Sequence, residues 1–201
     1  MDRPLKICLV SPFDYGFPGG VNDHVRHLAA QFKTWGHSVY VIAPCASPSE
    51  IVESNFIPMG KPVPIPSNGS IARISLSIWL RPRIKQVLNE HDFDIVHLHN
   101  PLSGLVPTYI LGQSKAVNIA TFHLFGGEYL FKTGKMLGGT KFAMRYLKNL
   151  HGRIAVSEAN RDYINQYFPG SYEVIPNGIQ LDEFSGDIKP FPHLRDGMIN
   201  I

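Results

Sequence analysis

Ser11-Pro-Phe-Asp-Tyr-Gly-Phe-Pro-Gly-Gly-Val-Asn22 is a glycine-rich turn set between an apolar run and an amphipathic one. Upstream, residues 5–10 form a short apolar segment with β-branched Ile7 and Val10, the composition of a strand covered on both faces. Downstream, Val21, Val25, Leu28, Ala29 and Phe32 recur at helical spacing, with Asn22, Asp23, Arg26, Gln31 and Lys33 on the other side and Gly36 as the stop. A helix opening at Gly19-Gly20 has amide donors with no intrahelical acceptor, lying at the positive end of its dipole. Glycine carries no Cβ to hold an anion away, so Gly19 and Gly20 are read as a diphosphate-binding element. A plain tight turn is the alternative.

The same alternation continues along the chain. Strands are expected over 38–43, 94–100, 117–123, 152–157 and 172–175, and helices over 103–111, 142–150 and 158–168. A further helix is expected over about 74–89, kinked at Pro82. Residues 45–70, rich in proline and small polar residues, read as a loop-rich flap with an extended element at Pro62-Val-Pro-Ile-Pro66 and a turn at Ser67-Asn-Gly-Ser70. The fold class is therefore α/β: a Rossmann-like parallel sheet with helices on both faces.

Composition narrows the function. The 201 residues are 44% hydrophobic, enough to bury a full core, and the formal net charge of +3 with no long basic run argues against nucleic acid. No apolar stretch approaches a bilayer span, and Met1-Asp2-Arg3-Pro4 lacks a signal-peptide layout, so a cytoplasmic location is expected. Cys8 and Cys45 read as core or near-core thiols. No acid closes the second strand and the first loop lacks G-x-G-x-x-G, which demotes a dinucleotide-dependent dehydrogenase.

Several polar residues fall at strand carboxyl ends, where open α/β sheets bind ligands: Gly19-Gly20, His99-Asn100, His123, Ser157 and Asn177. His97 and His99 share one face of their strand, but a zinc site needs a third ligand. No H-E-x-x-H or C-x-x-C supplies one, so hydrogen-bonded histidines lining a cleft are expected and a metal is not. Asn68 and Arg73 flank the flap turn, where an amide and a guanidinium can grip an anionic ligand; a turn-forming Asn and a solvated Arg are the alternative. Arg81, Arg83 and Lys85 beside Trp79 and Leu80 read either as a solvated face or as a contact with anionic lipid. Residues 124–139, with glycines among Phe125, Tyr129, Phe131, Lys132 and Lys135, read as a mobile acceptor or lipid contact or as a packed helix–loop segment.

Pro18-Gly-Gly-Val21, Val63-Pro-Ile-Pro-Ser-Asn-Gly-Ser70 with Ala72-Arg73, His97-Leu-His99, Ala120-Thr-Phe-His123, Gly152-Arg-Ile-Ala-Val-Ser157 and Ile175-Pro-Asn-Gly178 follow one another in register. This order resembles the N-terminal half of a retaining glycosyltransferase of family 4, and within that family its phosphatidylinositol mannosyltransferase branch. The resemblance implies the N-terminal half of a GT-B fold, with residues 1–186 as the acceptor-side domain. Residues 187–201 would be the linker and first strand of a missing donor-binding domain. It implies transfer of a sugar, mannose from GDP-mannose in that branch, to a polar lipid or polyol-phosphate acceptor such as phosphatidylinositol, without metal or other cofactor, at an anionic membrane surface on the inner face of the cell membrane.

Carried onto this chain, Gly19 and Gly20 meet the donor diphosphate, His123 contacts the donor sugar as the catalytic position, and Asn22, Asn68, Arg73, His99 and Asn100 fall on the acceptor side. Arg81, Arg83 and Lys85 are the membrane contact. The chain departs from the branch at Phe13, near Gly16, at Asn100 and at Leu124, where Tyr, Asp, Glu and Thr are the pattern. Alternatives are a family 4 enzyme with another donor and acceptor, a GT-B nucleotide-sugar epimerase, which would carry more acids at the strand ends, or a binding domain without catalysis. The 201 residues alone are expected to transfer little or no sugar.

Overall fold

The computed structural model describes residues 3–67, 70–123 and 139–181. Nine strands and five α-helices are seen among them: β1 Lys6–Val10, α1 Gly20–Thr34, β2 Ser38–Ala43, β3 Phe56–Pro58, β4 Val63–Ser67, β5 Ser70–Ile74, α2 Arg81–His91, β6 Ile95–His99, α3 Leu105–Gln113, β7 Val117–Phe122, α4 Gly139–Leu147, β8 Gly152–Ala155, α5 Glu158–Asn165 and β9 Glu173–Val174. Seven strands form one sheet in the order β3-β2-β1-β6-β7-β8-β9, with every pairing parallel. β4 and β5 pair separately as an antiparallel hairpin.

That order follows from the sequence. The chain runs outward from β1 to β3, then returns to lay β6 against the other side of β1. The loops leaving β1 and β6 therefore diverge, and this switch point opens the crevice in which α/β sheets bind ligands. The strands at its centre are covered on both faces, and one face of each is aliphatic. Cys8, Val10, Val96, Leu98, Ala120 and Phe122 pack with Ile84 and Val87 of α2 and Val106, Ile110 and Leu111 of α3. Ile7, Leu9, Val39, Val41 and Ala43 pack with Val25 and Ala29 of α1 on the opposite face. Helices thus lie on both faces, and Cys8 and Cys45 are buried free thiols.

Helix ends obey local chemistry. Gly36, at φ 84, accepts the left-handed conformation just after α1, and its amide donates to the Lys33 carbonyl. Asp92 performs the same service for α2 at φ 47, its amide reaching the Leu88 carbonyl. Ser157, one of the polar residues expected at the ligand-binding edge, caps α5 through a hydrogen bond from the Asn160 amide.

Three local expectations are corrected. No kinked helix covers 74–89: Ile74 ends β5 paired with Val63, a 3-10 turn spans Ile78–Leu80, and α2 starts at Arg81 with Pro82 in its first turn. Proline is tolerated there because the amide it lacks would have had no intrahelical acceptor. The flap contributes β3 to the sheet, pairing with Val41, Ile42 and Ala43, which three residues among polar neighbours did not announce. Asn22, expected on the polar side of α1, is buried. The readings for Asn68, for 124–138 and for the linker and strand at 187–201 fall outside the described residues.

Candidate active site

The loop after β1 is held from within. The Ser11 hydroxyl, fully buried, donates to Asn22 Oδ1 at 2.6 Å and accepts from the Phe13 amide at 3.3 Å. Asn22 Nδ2 donates to the carbonyls of Asp14 at 2.8 Å and Phe17 at 3.0 Å. Asn22 therefore ties the loop to the start of α1, and its amide donors are used there rather than extended toward an acceptor. Asp14 accepts from the Ala46 amide at 3.1 Å, and Tyr15 is buried against Phe56 with ring centroids 4.9 Å apart. A loop so tied presents its last residues in one geometry.

Those last residues are Gly19 and Gly20. The first intrahelical bond of α1 runs from the Asp23 amide to the Gly19 carbonyl, so the amides before it have no acceptor within the helix. Neither glycine is demanded by the fold. A Cβ added at either would meet nothing within 4 Å, and Gly19 is extended at φ 173, a conformation open to any residue. The space left by their missing side chains belongs to a cavity of about 350 Å³, lined also by Phe13, Asp14, Phe17 and Arg73.

Arg73 reaches this cavity because the β4–β5 hairpin is pinned to the loop. The Asp14 amide donates to the Arg73 carbonyl at 2.8 Å, and Phe13 bridges to Ile74. The guanidinium lies over the Phe17 ring, 4.2 Å from its centroid, and Nε is buried without a hydrogen-bond partner among the described residues. Stacking leaves the edge donors of a guanidinium for an anion. Phe17 was not singled out in the sequence.

At the ends of β6 and β7 the alternation of strand side chains sends Val96 and Leu98 to the aliphatic core and His97 and His99 toward α1. His97 Nε2 and Thr121 Oγ1 are 2.7 Å apart, and the His97 and His99 rings stack at 4.6 Å. His99 Nδ1 lies 3.0 Å from His123 Nε2. His24, on the sheet side of α1, completes the group, its ring 5.4 Å from that of His99 and 5.1 Å from that of His123. Sequence reading passed over His24, although it falls on the same stripe as Val21, Val25 and Leu28.

Burial sets the charge of these rings. It pushes His97 down to about 4 and His123 down to about 3, with the neighbouring His24 adding to each, and holds His99 well below the usual imidazole range. All three are neutral near pH 7. His123 is thus a polar contact, donor or acceptor according to tautomer, and not a cation. Asn100, at φ 46, accepts from the His123 amide through Oδ1 at 2.8 Å, while its Nδ2 is buried without a hydrogen-bond partner among the described residues. Its carbonyl oxygen fixes the backbone of His123, a positioning role distinct from the acceptor contact expected of it.

Arg81, Arg83 and Lys85 are exposed at the start of α2, directly after Ile78 and Trp79, which are 61% and 83% exposed. Arg81 also lies over Tyr109, 5.6 Å from its centroid. No helix among the described residues is long and apolar enough to cross a membrane.

Against known proteins, the profile of Glycosyltransferase Family 4 matches residues 18–183, which include the Gly19-Gly20 loop, Arg73 and the histidine group. The chain belongs to glycosyltransferase family 4. Phosphatidyl-myo-inositol mannosyltransferase of Mycobacterium tuberculosis is 34% identical over 96% of this chain and 50% of its own length. The protein of that name from Mycobacterium leprae is 33% identical over 90% of this chain and 47% of its own. The family 4 chain thus spans about half the length of the curated relatives it matches.

Solved structures agree on the fold. A glycosyltransferase from Rickettsia africae superposes with a TM-score of 0.62 at 19% identity, covering 93% of this chain and 47% of that one. Anabaena HepE in complex with UDP-glucose gives 0.58 at 15% identity, covering 89% of this chain and 45% of that one. The α/β Rossmann-like architecture read from the sequence is the one observed, and it corresponds to about half of each of these two chains.

Proposed function

We propose that this chain is the acceptor-side domain, 1–186, of a retaining glycosyltransferase that moves mannose from GDP-mannose to a polar lipid acceptor of the phosphatidylinositol type. Residues 187–201 lead toward a donor-binding domain. The observation that carries the reading is the cavity in which Gly19 and Gly20, required by neither backbone nor neighbours, face the stacked guanidinium of Arg73. Anionic groups can meet both sides of it: helix-start amides on one, and on the other a cation whose buried Nε has no hydrogen-bond partner among the described residues. The name shared by the mycobacterial relatives supports mannose and phosphatidylinositol as the sugar and the acceptor.

In the reaction we propose, the acceptor hydroxyl oxygen bonds to the anomeric carbon on the face from which the diphosphate leaves. The bond from that carbon to the phosphate oxygen breaks, and the hydroxyl proton passes to the departing phosphate. No protein nucleophile is needed. The protein's task is to stabilise charge growing on the leaving group, which the Gly19 and Gly20 amides do from this side. His123, neutral and fixed by Asn100 and His99, orients a sugar hydroxyl. Arg73 meets the acceptor phosphate, Asn68 is expected to join it, and no metal is required. Trp79 and Ile78 with Arg81, Arg83 and Lys85 rest on anionic headgroups at the inner face of the cell membrane, each basic residue contributing about 1 kcal/mol.

The test is transfer by the protein that pairs this chain with its donor-side domain, given GDP-mannose, UDP-glucose or UDP-N-acetylglucosamine in turn. Phosphatidylinositol and other lipids serve as acceptors, with and without chelator. Chelator-insensitive mannosyl transfer to phosphatidylinositol is the expected result, with little or none from the 201 residues alone. Transfer only with another pair would keep the family and reject these substrates. Epimerisation or hydrolysis of the donor without acceptor product would reject the transferase.

A further inference from the structure

His24, His99 and His123 come from three separate elements, α1, the end of β6 and the end of β7, and their ligand nitrogens all lie within 4.8 Å of one another. His99 and His123 already present facing nitrogens 3.0 Å apart. Three imidazoles around one tetrahedral zinc, at metal–nitrogen distances of about 2.0–2.1 Å, place their nitrogens about 3.3 Å apart. Two of the three thus stand near coordination geometry, and His24 has to approach by about 1.5 Å at most, within reach of a side-chain rotation on a half-buried helical residue.

Imidazole binds zinc through a neutral ring, and three of them converge here from three separate elements. The scaffold is also fixed: Asn100 holds the His123 backbone, and His97 stacks on His99 while pairing with Thr121. The acids are elsewhere: Asp14 is engaged by the Ala46 amide and Asp23 by Arg26. An all-imidazole set suits zinc, copper, nickel or cobalt(II) and does not suit magnesium or calcium. His24 and His123 are half-buried, so the ion is reached from solvent and keeps a fourth position for water.

We propose that His24, His99 and His123 form a binding site for a divalent transition-metal ion of the zinc type, separate from any requirement of sugar transfer. The inference goes beyond the transferase reading and does not rest on it. One consequence does: an ion held by His123 occupies the ring proposed to orient the donor sugar, so zinc would inhibit transfer.

Cobalt(II) titrated into the 201-residue chain reads the site without any activity assay. The expected result is one ion per chain with the intense visible bands of a four-coordinate complex, lost when zinc is added. His24→Ala should weaken binding at least tenfold and abolish those bands, with far-UV circular dichroism and urea midpoint reported beside it. His24→Cys should restore four-coordinate binding and add a thiolate-to-cobalt charge-transfer band, which reports position 24 as a ligand even if His24→Ala fails to fold. Only weak six-coordinate bands in the wild type, bands undiminished in His24→Ala, or no charge-transfer band in His24→Cys would each overturn the site.

Discussion

The two faces of β6 carry opposite chemistries at nearly equal burial. Val96 and Leu98 point into the aliphatic layer under α2 and α3, and His97 and His99 point toward α1, with exposures of 0%, 0%, 8% and 0%. β7 repeats the division, Ala120 and Phe122 on the aliphatic side and Thr121 on the histidine side. Burial alone thus does not distinguish core from site. The aliphatic face gains stability from every buried methylene. The other face holds polar atoms that must find partners inside the protein, and it tolerates them because its rings are uncharged.

The largest effect belongs to the aliphatic face. Leu98→Ala leaves a cavity where no side chain can follow, and urea unfolding should report a loss of about 2–5 kcal/mol. A loss below about 1 kcal/mol would show that this layer repacks freely and would erase the contrast. Next comes Asn22→Ala, which strips partners from the Ser11 hydroxyl and from the Asp14 and Phe17 carbonyls. The expected cost is about 1–3 kcal/mol of stability. A variant as stable as wild type but with weakened acceptor binding would instead return Asn22 to direct contact.

The histidine face should reveal itself through pH. The rings are neutral in the folded chain, His97 falling to about 4 and His123 to about 3, whereas an unfolded imidazole titrates near 6.5. Between those values the unfolded chain binds more protons. Stability is therefore complete above about pH 6.5 and is lost as pH falls toward 4 and 3. From pH 7.5 to 5.5 the decline should be about 1.4 kcal/mol for each such imidazole. Urea midpoints unchanged over that range would mean that the rings are solvated or charged in the folded protein.

The same division explains what was legible in the sequence. Strands 6–10, 38–43, 95–99 and 117–122 stand out as short, β-branched and largely apolar segments, and the Gly19-Gly20 turn stands out because it separates the first of them from an amphipathic helix. β3 was invisible because its three residues gain their place only by pairing with β2. Pro82 was read as a kink because helical periodicity does not say where the first turn begins. In the site, Gly19, Gly20, Arg73, His99 and His123 were marked by their position at strand ends or beside a turn. Asn22 and Asn100 were marked too, but a sequence does not show that Asn22's amide donors, and the Asn100 side-chain oxygen, are engaged within the protein. His24 was hidden for the opposite reason: a lone histidine on an apolar stripe looks like core until the strand ends that face it are in place.

The smallest effect on stability is also the most direct test of the central claim, that the start of α1 is open for a ligand and not for the fold. In Gly19→Ala the added methyl meets no protein atom within 4 Å and the backbone is already extended. Stability should stay within about 0.5 kcal/mol of wild type. The proposed sugar transfer, by a protein pairing this chain with a donor-binding domain, should nevertheless lose at least tenfold in kcat/KM, about 1.4 kcal/mol of transition-state stabilisation. Unimpaired transfer in an equally stable Gly19→Ala protein would contradict the account, because the space beside those amides would then hold nothing that the reaction needs.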